Sequence, residues 1–209
     1  MPARLLVPLA LICALTLVAC GEDESGPCQY PGDGAAPARE VETPPEQPTE
    51  NGDVAATLAT SAGDVDVTLD AEAAPCTVNS FVSLAQQGYF DDTPCHRLTT
   101  AGIFVLQCGD PTGVGGGGPG YTIPDELTGD EEYDRGTLAM ANAGSPDSGG
   151  SQFFLVYGDT PLPPDYTVFG EIDPAGVDVI RQIAANGTAT GAPDGPPATE
   201  VRIESVTVE

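Results

Sequence analysis

From position 53 to the C-terminus the apolar residues come in short runs, each closed off by Gly, Pro, Asp or Ser, and only two stretches carry a helical period. This punctuation constrains the fold more than any other feature. Many short strands with two helices bury their apolar faces by curling the sheet into a closed barrel. Positions 55–60 and 65–69 read as a first hairpin: Val65, Val67 and Leu69 alternate with Asp66 and Thr68, and Ser61-Ala62-Gly63-Asp64 supplies the turn. Further strands are expected at 95–99, 104–107, 137–142, 151–156, 168–171 and 201–208. In the last, Val201 and Ile203 fall out of phase with Val206 and Val208, which predicts a bulge near 204–205. The helices are expected at 77–87, with Val78, Phe81, Val82 and Ala85 on one face, and at 175–185, with Val177, Ile180, Ile183 and Ala184. Gly88 and Asn186-Gly187 provide their stops.

The N-terminus is of another kind. Arg4 precedes an apolar run ending in small residues, the pattern of a secretory signal over 1–19. Its end, Leu17-Val18-Ala19-Cys20, resembles the bacterial lipobox, in which the cysteine becomes the first mature residue and carries lipid. A single membrane-spanning helix is the alternative, but the run is short for a span and Gly21-Glu22-Asp23-Glu24 follows at once. Positions 21–52 contain six Pro, eight acidic residues and one Arg, with no periodicity, so 20–52 is expected to be a flexible stem beneath a domain at 53–209.

The chain carries 32 acidic residues against six Arg and no Lys, for a net charge of −26. That excess argues against nucleic acid, whose binding draws on cationic groups. It favours a soluble monomer through self-repulsion. A high-salt habitat and a genomic bias against lysine would both produce it. The Gly-rich run 113–120 lacks the lysine and the following helix of a phosphate loop.

Met140-Ala141-Asn142-Ala143-Gly144 followed by Ser151-Gln152-Phe153-Phe154 resembles the cyclophilins, the barrel-type peptidyl-prolyl cis-trans isomerases. His96-Arg97-Leu98, Gln107-Cys108-Gly109-Asp110 and Thr167-Val168-Phe169-Gly170 are similar to further segments of that family, in the same order. The resemblance spans about Val54 to the C-terminus. It implies a mainly β fold, a closed eight-stranded antiparallel barrel capped by two α-helices, and isomerisation of X-Pro bonds without a cofactor. It implies catalytic roles for Arg97, Gln107 and Asn142. Substrate contacts would come from Phe104, Met140, Ala141, Gln152, Phe154, Leu162 and Tyr166. Phe153 is assigned to the core. Arg97 would donate to the prolyl nitrogen as the bond twists, a role suited to a permanently charged, rigid fork of donors. A surface salt bridge is the plain alternative for this arginine. The chain departs from the commonest family form in carrying about two more residues between Arg97 and Gln107, Pro161 in place of Trp and Tyr166 in place of His.

The partners so implied are proline-containing polypeptides and, through lipidated Cys20, a membrane on its extracytoplasmic side. A tethered peptide-binding or chaperone module with little turnover is the first alternative. A structural envelope lipoprotein is the second.

Cys28, Cys76, Cys95 and Cys108 remain after the signal and the lipid site, an even number suited to disulfides in an exported protein. Zinc is disfavoured by a single histidine and no Cys-x-x-Cys. The family places Arg97 opposite Gln107. That register puts His96 opposite Cys108 and turns Cys95 to the other face, which counts against a Cys95–Cys108 bridge. The pairing is left open. His96, the only histidine, has no nucleophile placed to work with it and reads as structural.

Overall fold

The computed structural model describes residues 27–209; the expected signal and Cys20 lie outside the described residues. The strands are β1 (Asp53–Thr60), β2 (Gly63–Asp70), β3 (Thr93–Pro94), β4 (Arg97–Thr99), β5 (Val105–Cys108), β6 (Thr137–Met140), β7 (Phe153–Val156), β8 (Val168–Ile172), β9 (Asp194–Gly195) and β10 (Arg202–Val208). Helix α1 covers Pro75–Gln86 and α2 Pro174–Ala185. The fold is mainly β, a curled antiparallel sheet with two helices. Its strand order is β3-β10-β1-β2-β8-β6-β7-β5-β4-β9.

The sheet curls round through the chain itself. Strand β3 pairs with β10 at one edge and β4 pairs with β5 near the other, while only Cys95 and His96 separate β3 from β4. Taken as one broken strand, β3 and β4 bring the ring to eight, with two-residue β9 set outside it. The bulge expected in the last strand is present. Ala59 pairs with Ser205 and Thr60 with Ile203, leaving Glu204 as the extra residue.

That break also explains the second disulfide. The bridges are Cys28–Cys76 and Cys95–Cys108. The register Arg97↔Gln107 is as expected, yet Cys95 is not in phase with β4. Its N–H donates to Val201 O at 2.8 Å, so the chain turns at Cys95-His96. An unbroken strand would turn Cys95 away from Cys108; the break lets the two meet, contrary to expectation. Both sulfurs are enclosed by the core.

Helix α1 has no side-chain cap of its own. Instead the Glu126 carboxylate, from a loop fifty residues on, accepts from the N–H groups of Cys76 at 2.9 Å and Thr77 at 2.8 Å. A carboxylate there satisfies orphan donors and complements the helix dipole. Phe81 packs its ring on Phe90, Phe153 and Phe169, joining the helix to the sheet interior. Val177, Ile180 and Ile183 of α2 enter the same core.

Residues 27–52, expected as a free stem, lie against the domain. Cys28 is buried and bridged to α1, and its N–H donates to Glu46 O at 2.6 Å. Tyr30 stacks edge-on against Tyr121 at 5.5 Å and donates to Cys76 O at 3.0 Å. Arg39 Nη1 bonds the carbonyls of Gly88, Tyr89 and Asp91, between 2.7 and 2.9 Å. Composition misled because a few anchors suffice: one disulfide, one aromatic and one arginine hold a segment whose average residue buries little.

Candidate active site

A row of paired residues crosses the sheet. Arg97 lies opposite Gln107, Gln107 opposite Phe154, Phe154 opposite Ala139, and Ala139 opposite Val168. Directly paired residues share a face. This face carries an apolar cluster separate from the main core: Val105, Tyr133, Ala139, Ala141, Phe154 and Val156, with Ile103, Leu162, Tyr166 and Val168 packed against it. The adjacent row, Leu98, Leu106, Leu155 and Leu138, points the other way into the main core.

Arg97 stands at the polar end of the row. Its Nε donates to Asp194 Oδ1 at 2.9 Å, its Nη2 to Asp194 Oδ2 at 2.8 Å and its Nη1 to Gln107 Oε1 at 3.2 Å. Gln107 Nε2 donates to Gln152 Oε1 at 2.8 Å, and Gln152 Nε2 donates to the carbonyls of Gly115 and Gly117, each at 3.0 Å. The glycine loop is shaped in turn by Asp110, which accepts from the N–H groups of Thr112, Gly115 and Gly117. Burial alone would raise the Asp110 carboxyl, but the bonds from Thr112, Gly117 and Gly115 outweigh it and hold it below its ordinary range. One hydrogen-bonded chain therefore runs from Asp194 to Asp110 and fixes the two glutamines between.

A guanidinium has five N–H donors. Three are committed here, which leaves one on each terminal nitrogen for a ligand. The bonds from Arg97 hold the Asp194 carboxyl below its usual range, and the same pair deepens the charged state of the arginine.

The apolar end is set by three rings. Phe154 meets Tyr166 edge-on at 5.4 Å, and Tyr166 meets Tyr133 at 6.0 Å. Tyr133 locks the loop beneath: its hydroxyl donates to Tyr166 O and accepts from Tyr166 N, both at 2.9 Å. Burial pushes that phenol up to about 12. Leu162 closes the rim, and Pro161 beside it is exposed.

Two expected contacts lie elsewhere. Met140 is opposite Phe153 in the β6–β7 ladder and, like Phe153, faces the main core. Phe104 also packs against the main core, its ring 5.9 Å from Tyr157. Ile103 and Val105 hold the groove side instead, because alternation back from Gln107 places 105 and 103 on its face and 106 and 104 on the other. The Asn142 side chain is engaged within the protein. Its Nδ2 donates to Asp165 O at 2.8 Å, and its Oδ1 accepts from Gly144 N at 3.0 Å. Among the described residues, no bond is made to the backbone N–H or C=O of Asn142, so those groups stay open to an extended chain.

Asp194 had no counterpart in the sequence reading. It lies in a two-residue strand within a Gly/Pro-rich stretch, with no periodicity to flag it.

Beside Gln107 and Gln152 the groove opens into a cavity of about 280 Å³. A larger cavity, about 640 Å³, is on another part of the surface, with Asp53, Asp70, Glu126, Glu131, Glu132 and Glu171 in its lining. Of the row residues only Val168 reaches it; Arg97, Gln107, Phe154 and Ala139 do not line it.

Residues 55–208 match the family model for cyclophilin type peptidyl-prolyl cis-trans isomerase/CLD. The chain belongs to the cyclophilin-type isomerase family. Among cyclophilin relatives, the probable peptidyl-prolyl cis-trans isomerase B of Mycobacterium leprae is 48% identical over 197 residues, covering 87% of this chain and 66% of the relative. Its Mycobacterium tuberculosis counterpart is also 48% identical, with 64% of its length covered. The chain thus spans just under two thirds of these two relatives. Peptidyl-prolyl cis-trans isomerase A of Mycobacterium tuberculosis is 41% identical over 172 residues, 73% of this chain and 91% of that one. A cyclophilin type isomerase of Cryptosporidium parvum, solved in the presence of the dipeptide ala-pro, superposes with a TM-score of 0.66 at 30% identity. It covers 74% of this chain and 98% of that one.

Proposed function

We propose that this protein accelerates cis-trans isomerisation of X-Pro bonds in exported or envelope polypeptides, and that it does so as a monomer held at the membrane by lipid on Cys20. The observation that carries the catalytic reading is Arg97: charged, gripped at three points, with two donors free at the end of an apolar seat. The barrier to rotation, ~18–20 kcal/mol, arises from delocalisation of the nitrogen lone pair. As the bond twists the lone pair localises on nitrogen, and a donor from Arg97 stabilises it there. No covalent step and no cofactor enter. Phe154, Leu162, Tyr166 and Ile103 seat the proline ring, while Ala141 and the Asn142 backbone receive the extended chain. A relative from Cryptosporidium parvum was solved in the presence of the dipeptide ala-pro, the class of ligand this reading calls for.

The anchoring part rests on the lipobox-like Leu17-Val18-Ala19-Cys20 and on two disulfides, which suit an oxidising compartment. Among the described residues no helix is long and apolar enough to cross a membrane.

The test is a protease-coupled assay on an Ala-Pro peptide with wild type and Arg97→Ala. Loss of one preorganised donor costs ~2.7–4 kcal/mol of transition-state stabilisation, a rate loss of about 10²–10³. A folded Arg97→Ala protein with near wild-type turnover would overturn the assignment. Peptide binding without turnover in the wild type would favour the tethered binding module. Detergent partitioning of Cys20→Ala reports separately on the anchor: unchanged partitioning would assign attachment to the apolar run instead.

A further inference from the structure

We infer that the N-terminal segment 31–38, which lies outside the matched family domain, builds one wall of the substrate groove, and that Asp33 makes this wall select a cationic side chain flanking the proline. The inference rests on the isomerase reading for the peptide, and on the cavity beside Gln107 and Gln152 for the selectivity.

That cavity, about 280 Å³, is lined by the glycine loop 115–118 and by Asp33, Ala35 and Ala36 beside it. The segment is held as a fixed wall. Asp33 N–H donates to Gly120 O at 3.2 Å, Ala38 N–H to Gly118 O at 2.9 Å, and Thr122 N–H returns a bond to Pro31 O at 2.9 Å. The Cys28–Cys76 bridge and Tyr30 against Tyr121 secure it upstream, and Arg39 secures it downstream.

Among the described residues, Asp33 is the only charged one lining the cavity. Its Oδ1 accepts from Ala35 N at 2.7 Å, and its Oδ2, with no partner among the described residues, lies 4.0 Å from where a Cβ on Gly118 would stand. The walls between it and Gln107 are largely glycine and alanine. They leave length for the methylene stem of a Lys or Arg and offer backbone carbonyls to its head. A carboxylate side chain in the same place would meet Asp33 with like charge.

The test uses the purified full-length protein and X-Pro peptides that differ only in carrying Lys, norleucine or Glu at each position flanking the Ala-Pro unit. The readouts are kcat/KM and, independently, peptide affinity by titration calorimetry. At one flanking position Lys is expected to exceed norleucine by roughly threefold to fivefold and Glu to fall below it, the size of an exposed ion pair. Asp33→Asn is expected to bring the Lys-to-norleucine ratio close to one, and Asp33→Lys to invert the preference. Asp64→Asn, which changes net charge equally but lies on β2 away from the cavity, is expected to keep the wild-type ratio. Equal use of the three peptides by the wild type, or equal loss of selectivity in Asp33→Asn and Asp64→Asn, would overturn the inference. The second outcome would mean that the overall charge, not Asp33, attracts the cation. Absence of turnover on every peptide would defeat the isomerase reading, while the affinity ratios would still decide the role of Asp33.

Discussion

Arg97 and Asp194, ninety-seven residues apart, meet in a two-point ion pair, with Nε to Oδ1 at 2.9 Å and Nη2 to Oδ2 at 2.8 Å. The pair does not use the arginine up. It fixes the guanidinium plane while Gln107 holds the third donor, so the two remaining N–H groups have set directions.

If that orientation matters for catalysis, Asp194→Ala lowers kcat/KM about tenfold, the effect of a misdirected group. Asp194→Asn, which keeps an acceptor, loses less. The check is the isomerase assay alongside circular dichroism. Full activity in Asp194→Ala would reduce the pair to an exposed salt bridge, worth ~0–1 kcal/mol.

The placement of Phe104 and Ile103 separates stability from binding. Phe104→Ala is expected to cost ~3 kcal/mol of stability, the lower end for a core phenylalanine, with little change in KM. Ile103→Ala is expected to raise KM severalfold with a smaller loss of stability. Denaturant melts and steady-state kinetics on both variants decide it. The reverse pattern would place Phe104 in the proline seat.

The Cys28–Cys76 bridge closes a separation of 48 residues. Replacing both cysteines by serine is expected to cost ~2–4 kcal/mol. It should also free the N-terminal segment, so that trypsin cuts after Arg39 faster than after Arg97. Limited proteolysis with mass spectrometry tests this, and unchanged protection of Arg39 would show that Tyr30 and the backbone bonds suffice.

His96 predicts a pH effect of definite sign. Burial holds its imidazole below the ordinary 6.5, with Asp110 opposing and Arg97 adding to the shift. Above that pH the ring is neutral folded and unfolded, and contributes nothing. As pH falls through 6.5 the unfolded chain takes up the proton first, and stability declines until the lower folded value is reached. Wild type should therefore lose more stability between about pH 7 and pH 5 than His96→Gln. Acidic residues titrate in both proteins and cancel in the difference. Parallel pH profiles would remove His96 from the account.

The sequence alone determined the parts that are local or periodic. The strand and helix pattern and the bulge at Glu204 follow from side-chain period and turn chemistry, and these act over a few residues. The inward direction of Met140, expected as a substrate contact, was set by its pairing with Phe153 across β6 and β7. What the tertiary structure alone decided are contacts between distant segments with no period linking them. Asp194 reaches Arg97 from a two-residue strand. Glu126 caps α1 from a remote loop. The break at Cys95-His96 lets a disulfide form that an unbroken strand forbids. The segment 27–52 is held by Cys28, Tyr30 and Arg39 against a composition that by itself reads as free chain. In each case the deciding energy is a specific pairing whose partner is set by the closed sheet, and composition and periodicity average such pairings away.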